Sequence, residues 1–221
     1  MELLQFARGT ALNFALLVFF VGLAWRFFAI ALLPFKKNPT QPRDGVGTKE
    51  KAVAWFQGIF MRMWPHKSFR KASFFTFVNG YVFHIGLFVV FFLFGPHVSF
   101  IKDLTGFSWA YLPSPIIHFA SVITTLSLIA VLVYRLRNPV QRLLSTAEDY
   151  FAWFVTFLPM ITGLMTVGHF GARYETLLAI HILSICLLLV WFPFGKLMHA
   201  FLFVFSRGAT AVRMKHRGAQ L

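Results

Sequence analysis

This sequence predicts an all-α membrane protein: a five-transmembrane-helix bundle with its N-terminus outside and its C-terminus cytoplasmic. Three observations carry that prediction. The chain is 58% hydrophobic over 221 residues and holds thirty phenylalanines, which leaves too little polar side chain to clothe a soluble domain of this length. Five separate stretches are long and apolar enough to cross a hydrocarbon core of ~30 Å. The basic residues fall almost entirely on one side of those stretches. Sixteen Lys/Arg lie in the segments 36–71, 135–142 and 207–217, against Arg8, Lys102 and Arg173 on the other side. Under the positive-inside rule, the first group is cytoplasmic.

The elements follow in order. The first span covers residues 11–35 and is interrupted by Arg26. It lacks a basic leader region and a clear cleavage site, so it reads as a retained helix. Residues 1–35 therefore form the first transmembrane unit. Residues 36–71 form a basic cytoplasmic connection. Its polar part, NPTQPRDGVGTKEK, reads as a loop; AVAWFQGIFMRMWPHKSFRK reads as an interfacial helix, because aromatic and basic residues alternate along it. The later spans cover residues 74–95, 115–134, 150–167 and 176–205. Proline and glycine mark their ends at Gly95-Pro96, Pro113-Ser114-Pro115 and Gly168 to Gly171. Residues 72–207 make a four-helix core, and 208–221 a basic cytoplasmic tail. No internal repeat is visible.

The net charge of +14 could point to nucleic acid, but here it lies between and after apolar spans and is explained by topology, so the expected partner is membrane lipid. The single cysteine, Cys186, lies mid-span. One thiol excludes an intrachain disulfide, a covalent CxxCH haem site and a cysteine-ligated iron–sulfur cluster built by this chain alone.

Histidines carry the chemistry. His181 and His199 are eighteen residues apart in AIHILSICLLLVWFPFGKLMHAF. On one continuous helix that is five turns, so both would leave the same face ~27 Å apart. Ionisable groups at membrane depth are costly and mark function. One stripe with a histidine near each surface suggests two stacked haem sites and a path for electrons. His84, in FHIG, lies ~15 Å from the start of its span at Phe74, and His199 lies ~12 Å from Arg207. These matching depths pair His84 with His199. Lys196, three residues before His199, could meet a haem propionate or reach the surface. His181 needs a partner near the outer surface. His97, His118 and His169 are the candidates, and depth favours His118. His66 and His216 lie in basic segments and carry no assigned chemistry. Facing imidazoles in a phenylalanine-rich bundle suit a haem b macrocycle better than zinc.

FHIG around His84, together with HILSICLLLVWFPFGKLMH, resembles the gamma subunit of respiratory nitrate reductase, including its heterodisulfide reductase- and sulfite reductase-linked relatives. The resemblance covers residues 74–207. It implies a membrane cytochrome b whose cytoplasmic-side haem is held by His84 and His199 and whose outer haem is held by His181. The family's other outer ligand lies ten residues after the FHIG histidine, where this chain has Phe94; His97, one turn later, takes that role, with His118 and His169 as alternatives. The resemblance also implies quinone or quinol as substrate near the outer haem, where Lys102, Tyr111 and His118 are the polar residues that could contact it, and a cytoplasmic iron–sulfur or reductase partner in the inner membrane of a prokaryote. No catalytic residue for the terminal reaction is expected in this chain. The alternatives are a haem-free transporter or channel that uses the intramembrane histidines, and a structural anchor.

Overall fold

The computed structural model describes residues 2–33, 45–61, 63–65 and 67–218. The end of the first span at residues 34–35, most of the polar loop and His66 lie outside the described residues. Among the described residues the fold is helical, apart from one isolated backbone bridge between Phe94 and Leu112. Five helices are long and apolar enough to cross a membrane, so the chain is a multi-pass membrane protein in contact with lipid. They are α1 (Glu2–Ala31), α3 (Arg70–Leu93), α5 (Ser114–Arg137), α7 (Ala147–Gly168) and α8 (Tyr174–Trp191). The others are α2 (Thr48–Phe60), α4 (Gly95–Thr105), the short α6 (Pro139–Leu144) and α9 (His199–His216).

The long helices pack in the order α3, α5, α7, α8, α1. Small residues make the close approaches, as expected where lipid removes the hydrophobic drive. Gly86 of α3 sits against Thr124 of α5, where a Cβ would lie 3.0 Å from that residue's Cβ. Asn79 and Ser127 clamp the same pair: Asn79 Nδ2 donates to Ser127 O at 3.0 Å and Ser127 Oγ donates to Asn79 Oδ1 at 2.8 Å. Trp153 of α7 donates to Leu128 O of α5 at 2.8 Å. α3 makes no comparable contact with α8, and none of its residues is fully buried.

The interfacial helix begins earlier than its composition implied, at Thr48, where Glu50 reaches back to accept from Gly47 N at 2.9 Å. It also has a protein partner. α2 packs along α9, with Gly58 against Ala211, Gly208 against the Trp55 indole, and Arg207 Nε donating to Gly58 O at 3.0 Å.

One expectation is overturned. His181 and His199 do not share a continuous helix. α8 ends at Trp191, and a turn and a short 3-10 stretch, Lys196–Met198, precede α9. Pro193 lacks an N–H and crowds the preceding turn, and Gly195 follows in extended conformation. The break is docked: Pro193 is fully buried against Gly22 of α1, where a Cβ would lie 2.5 Å from its Cγ.

Candidate functional site: two facing histidine pairs

α3 stops at Phe94, which adopts an extended conformation (φ −85°, ψ 125°) just before Gly95-Pro96. The stop strands the last carbonyls of α3, and three nearby groups take them up. His97 Nδ1 bonds Val90 O at 3.0 Å, Trp109 Nε1 donates to Phe92 O at 2.6 Å, and Leu112 N donates to Leu93 O at 2.9 Å. Reaching back to Val90 turns the His97 ring inward beside the end of α3. There it stacks on His181 of α8, with ring centroids 6.2 Å apart and planes 14° apart. Burial pushes the His97 pKa below its usual range, and its backbone hydrogen bonds only partly oppose the shift, so the neutral ring is favoured.

At the other level, His84 of α3 faces His199, the first residue of α9. Their ring centroids are 6.1 Å apart and their planes cross at 82°. His84 Nδ1 bonds Gly80 O at 2.7 Å, and His199 Nδ1 bonds Lys196 O at 2.8 Å. The anchoring carbonyls of Gly80 and Val90 are ten residues apart on α3, so the two pairs lie ~15 Å apart along its axis. That is shorter than the ~27 Å a continuous helix would give, because α8 and α9 are separate.

The hydrogen bonds fix the tautomers. A carbonyl only accepts, so in the neutral rings of His84, His97 and His199 the proton sits on Nδ1 and Nε2 keeps its lone pair. His181 Nδ1 meets Thr162 Oγ1 at 3.1 Å, and the Thr162 hydroxyl donates to Leu158 O at 2.8 Å. With its one proton committed, Thr162 accepts from Nδ1–H, and His181 also presents Nε2. Metal-ligating histidines have this construction, with the second nitrogen donating to a fixed acceptor.

The spacing tests the fit of a metal group. A metal–nitrogen bond of ~2.0 Å on each side, plus ~1.1 Å from nitrogen to ring centre, puts two trans imidazoles ~6.2 Å apart. Both pairs stand at that separation. Among the described residues no group of three or more His, Cys, Asp or Glu could hold a metal. Two facing imidazoles, each with Nε2 free of a carbonyl partner, could hold a haem iron, whose remaining ligands would come from the macrocycle. Aromatic rings flank the pairs: Phe83 stacks on His84 at 4.3 Å, and Phe94 is edge-on to His97 at 5.1 Å.

The other candidates are placed elsewhere. His118, which depth favoured, faces Phe94 with ring centroids 6.3 Å apart, because depth along a helix ignores the direction in which a side chain leaves it. His169 caps α7 in a left-handed conformation beside Tyr174. Lys196 forms an ion pair with Asp149 at 2.8 Å, and Arg135 approaches the same carboxylate at 3.8 Å. Lys102 is exposed on α4, and Tyr111 packs against Gly95 on the loop that follows, both on the His97 side. Sequence reasoning missed Thr162, Gly163 and Ser184. The available signal was hydroxyl and glycine residues in apolar spans at the level of His181.

No family model and no solved structure matches the chain. A curated relative from Nitratidesulfovibrio vulgaris strain Hildenborough, described only as a protein, is 30% identical over 214 residues, covering 92% of this chain and 89% of the relative. With that identity over nearly the whole of both chains, this protein belongs to the same family as the Nitratidesulfovibrio vulgaris protein.

Proposed function

We propose that this chain is the membrane cytochrome b subunit of a respiratory oxidoreductase complex, similar to the nitrate reductase gamma subunit, passing electrons between the quinone pool and a cytoplasmic iron–sulfur partner. The observation that carries this reading is the double one: two imidazole pairs at 6.1 and 6.2 Å, each ring with Nδ1 anchored. The basic end, with α2 and α9, faces the cytoplasm of a prokaryotic inner membrane. His84 and His199 then hold the inner haem b, and His97 and His181 the outer one. A bound haem supplies a one-electron carrier at each level.

The chain's own residues do the rest. The Nδ1–H donors raise the basicity of each Nε2 and stop the rings from rotating away. Phe83 beside His84 and Phe94 beside His97 add apolar surface next to one ring of each pair. Lys196, sharing its charge with Asp149, is the basic group closest in sequence to His199 for a propionate carboxylate. Lys102 and Tyr111, on the outer side, supply polar contacts for a quinone head.

The test is spectroscopic. Purified wild type is expected to give two haems b per chain by pyridine haemochrome, His84→Ala and His97→Ala one each, and His118→Ala and His169→Ala two. Wild-type protein with no b-type absorption on reduction sinks the reading.

A further inference from the structure

The two pairs are built differently. The outer rings lie 14° apart and the inner rings 82° apart. Each inner ring is anchored to a carbonyl of its own local segment, and both rings are exposed. His181 is instead held by a second helix. Thr162 of α7 accepts from its Nδ1 and donates its one proton to Leu158 O, and Thr162 is itself buried, with Ser184 Oγ alongside at 3.0 Å. Ser184 in turn donates to the His181 carbonyl at 2.6 Å. Gly163 adjoins the ring, and a Cβ there would lie 3.1 Å from His181 Cε1. A hydrogen bond on one atom and a backbone wall beside another leave the imidazole little freedom to rotate.

We propose that Thr162 and Gly163 are positioning residues that hold His181 near-parallel to His97, so that the two haem-binding pairs differ in ring geometry. This inference rests on the haem-binding reading above. At a low-spin ferric iron each axial imidazole donates π density into the iron d orbital normal to its own plane. Parallel rings act on one member of a near-degenerate orbital pair and split it; crossed rings act on both members and leave them close. The outer, parallel pair therefore gives an ordinary rhombic resonance. A haem held by the inner, crossed pair would give a strongly anisotropic one.

The experiment is low-temperature electron paramagnetic resonance of the oxidised, purified full-length protein. Wild type is expected to show one rhombic and one strongly anisotropic low-spin signal in equal amounts. His97→Ala removes only the rhombic signal, and His84→Ala only the anisotropic one. Thr162→Val removes the hydroxyl acceptor at nearly constant volume and leaves the Pro159 carbonyl as the other acceptor for the ring. It is expected to shift the rhombic signal towards the anisotropic form and leave the inner signal in place. Thr162→Ser restores the wild-type spectrum, and Gly163→Ala shifts the same signal by pushing the ring. Two wild-type signals of one type overturn the inequivalence. A rhombic signal unmoved in both Thr162→Val and Gly163→Ala, with two haems retained, overturns the positioning role. Loss of the outer haem in Thr162→Val without recovery in Thr162→Ser also counts against it. Two b-type haems with identical signals leave the cytochrome reading intact, whereas no b-type bands remove both.

Discussion

At the scale of single residues, Asp149 has the densest set of polar ties outside the histidines. Its Oδ2 accepts from Thr146 N at 2.9 Å and from Thr146 Oγ at 3.0 Å, closing the capping box of α7. Its Oδ1 takes Lys196, and Arg135 stands beside it. One carboxylate thus fastens the start of α7, the end of α5 and the segment just before His199. The cap is the larger contribution, because Lys196 is half exposed and such ion pairs are weak. Asp149→Ala is expected to lower stability by ~1 kcal/mol, most of it from the cap. Lys196→Ala should cost less. Denaturant unfolding in detergent measures both, and a larger loss for Lys196→Ala reverses the assignment. Histidines, glycines and prolines were legible in the sequence because each is rare or chemically marked in an apolar span. Thr162 was not, since a threonine that bonds the carbonyl four residues back is commonplace; Thr156 and Thr166 do the same on this helix.

At the scale of elements, the two breaks matter most. Hydropathy located every spanning helix, because a span needs only length and apolarity. It ran the fifth one through Pro193 and Gly195, because FPFG is as apolar as its surroundings. The break at Phe94 was flagged by Gly95-Pro96. What the sequence did not disclose is that the freed Val90 carbonyl draws His97 back towards His181. That is three-dimensional capping, and depth arithmetic cannot see it. The second break depends on α1 for its position. Gly22 admits Pro193, and Phe19 packs on both Phe192 and Phe201, at 5.5 and 6.3 Å. Gly22→Val is expected to displace residues 193–198 and carry His199 away from His84, while α8 keeps His181 beside His97. On the cytochrome reading proposed above, the haem content should fall from two to one with the outer signal retained. Loss of the outer signal instead would mean that α1 supports α8 as a whole rather than the break.

At the scale of the whole molecule, the row α3, α5, α7, α8, α1 carries His84 on α3 and His181 on α8, their partners lie on α9 and α4, and charge gives the row a direction. The basic residues at the ends of α5 and α9 and on α2 lie on the side of the His84–His199 pair; Lys102 and Arg173 lie on the side of the His97–His181 pair. Lys/Arg bias acts during insertion and is strongest in short connections, which describes the turns between α5 and α7 and between α7 and α8. The Arg135–Arg142 connection should therefore stay in the cytoplasm and the loop after α4 should be translocated. Cys186 is the single native thiol and is buried, so it can be replaced by Ala to give a thiol-free background. In that background, Phe107→Cys and Leu143→Cys each place a thiol at an exposed position, one per side. A membrane-impermeant maleimide is expected to label Phe107→Cys in intact cells and Leu143→Cys only after permeabilisation. The reverse pattern would place the His97–His181 pair on the cytoplasmic side, and the proposed iron–sulfur partner would then have to dock beside α4 rather than on α2 and α9.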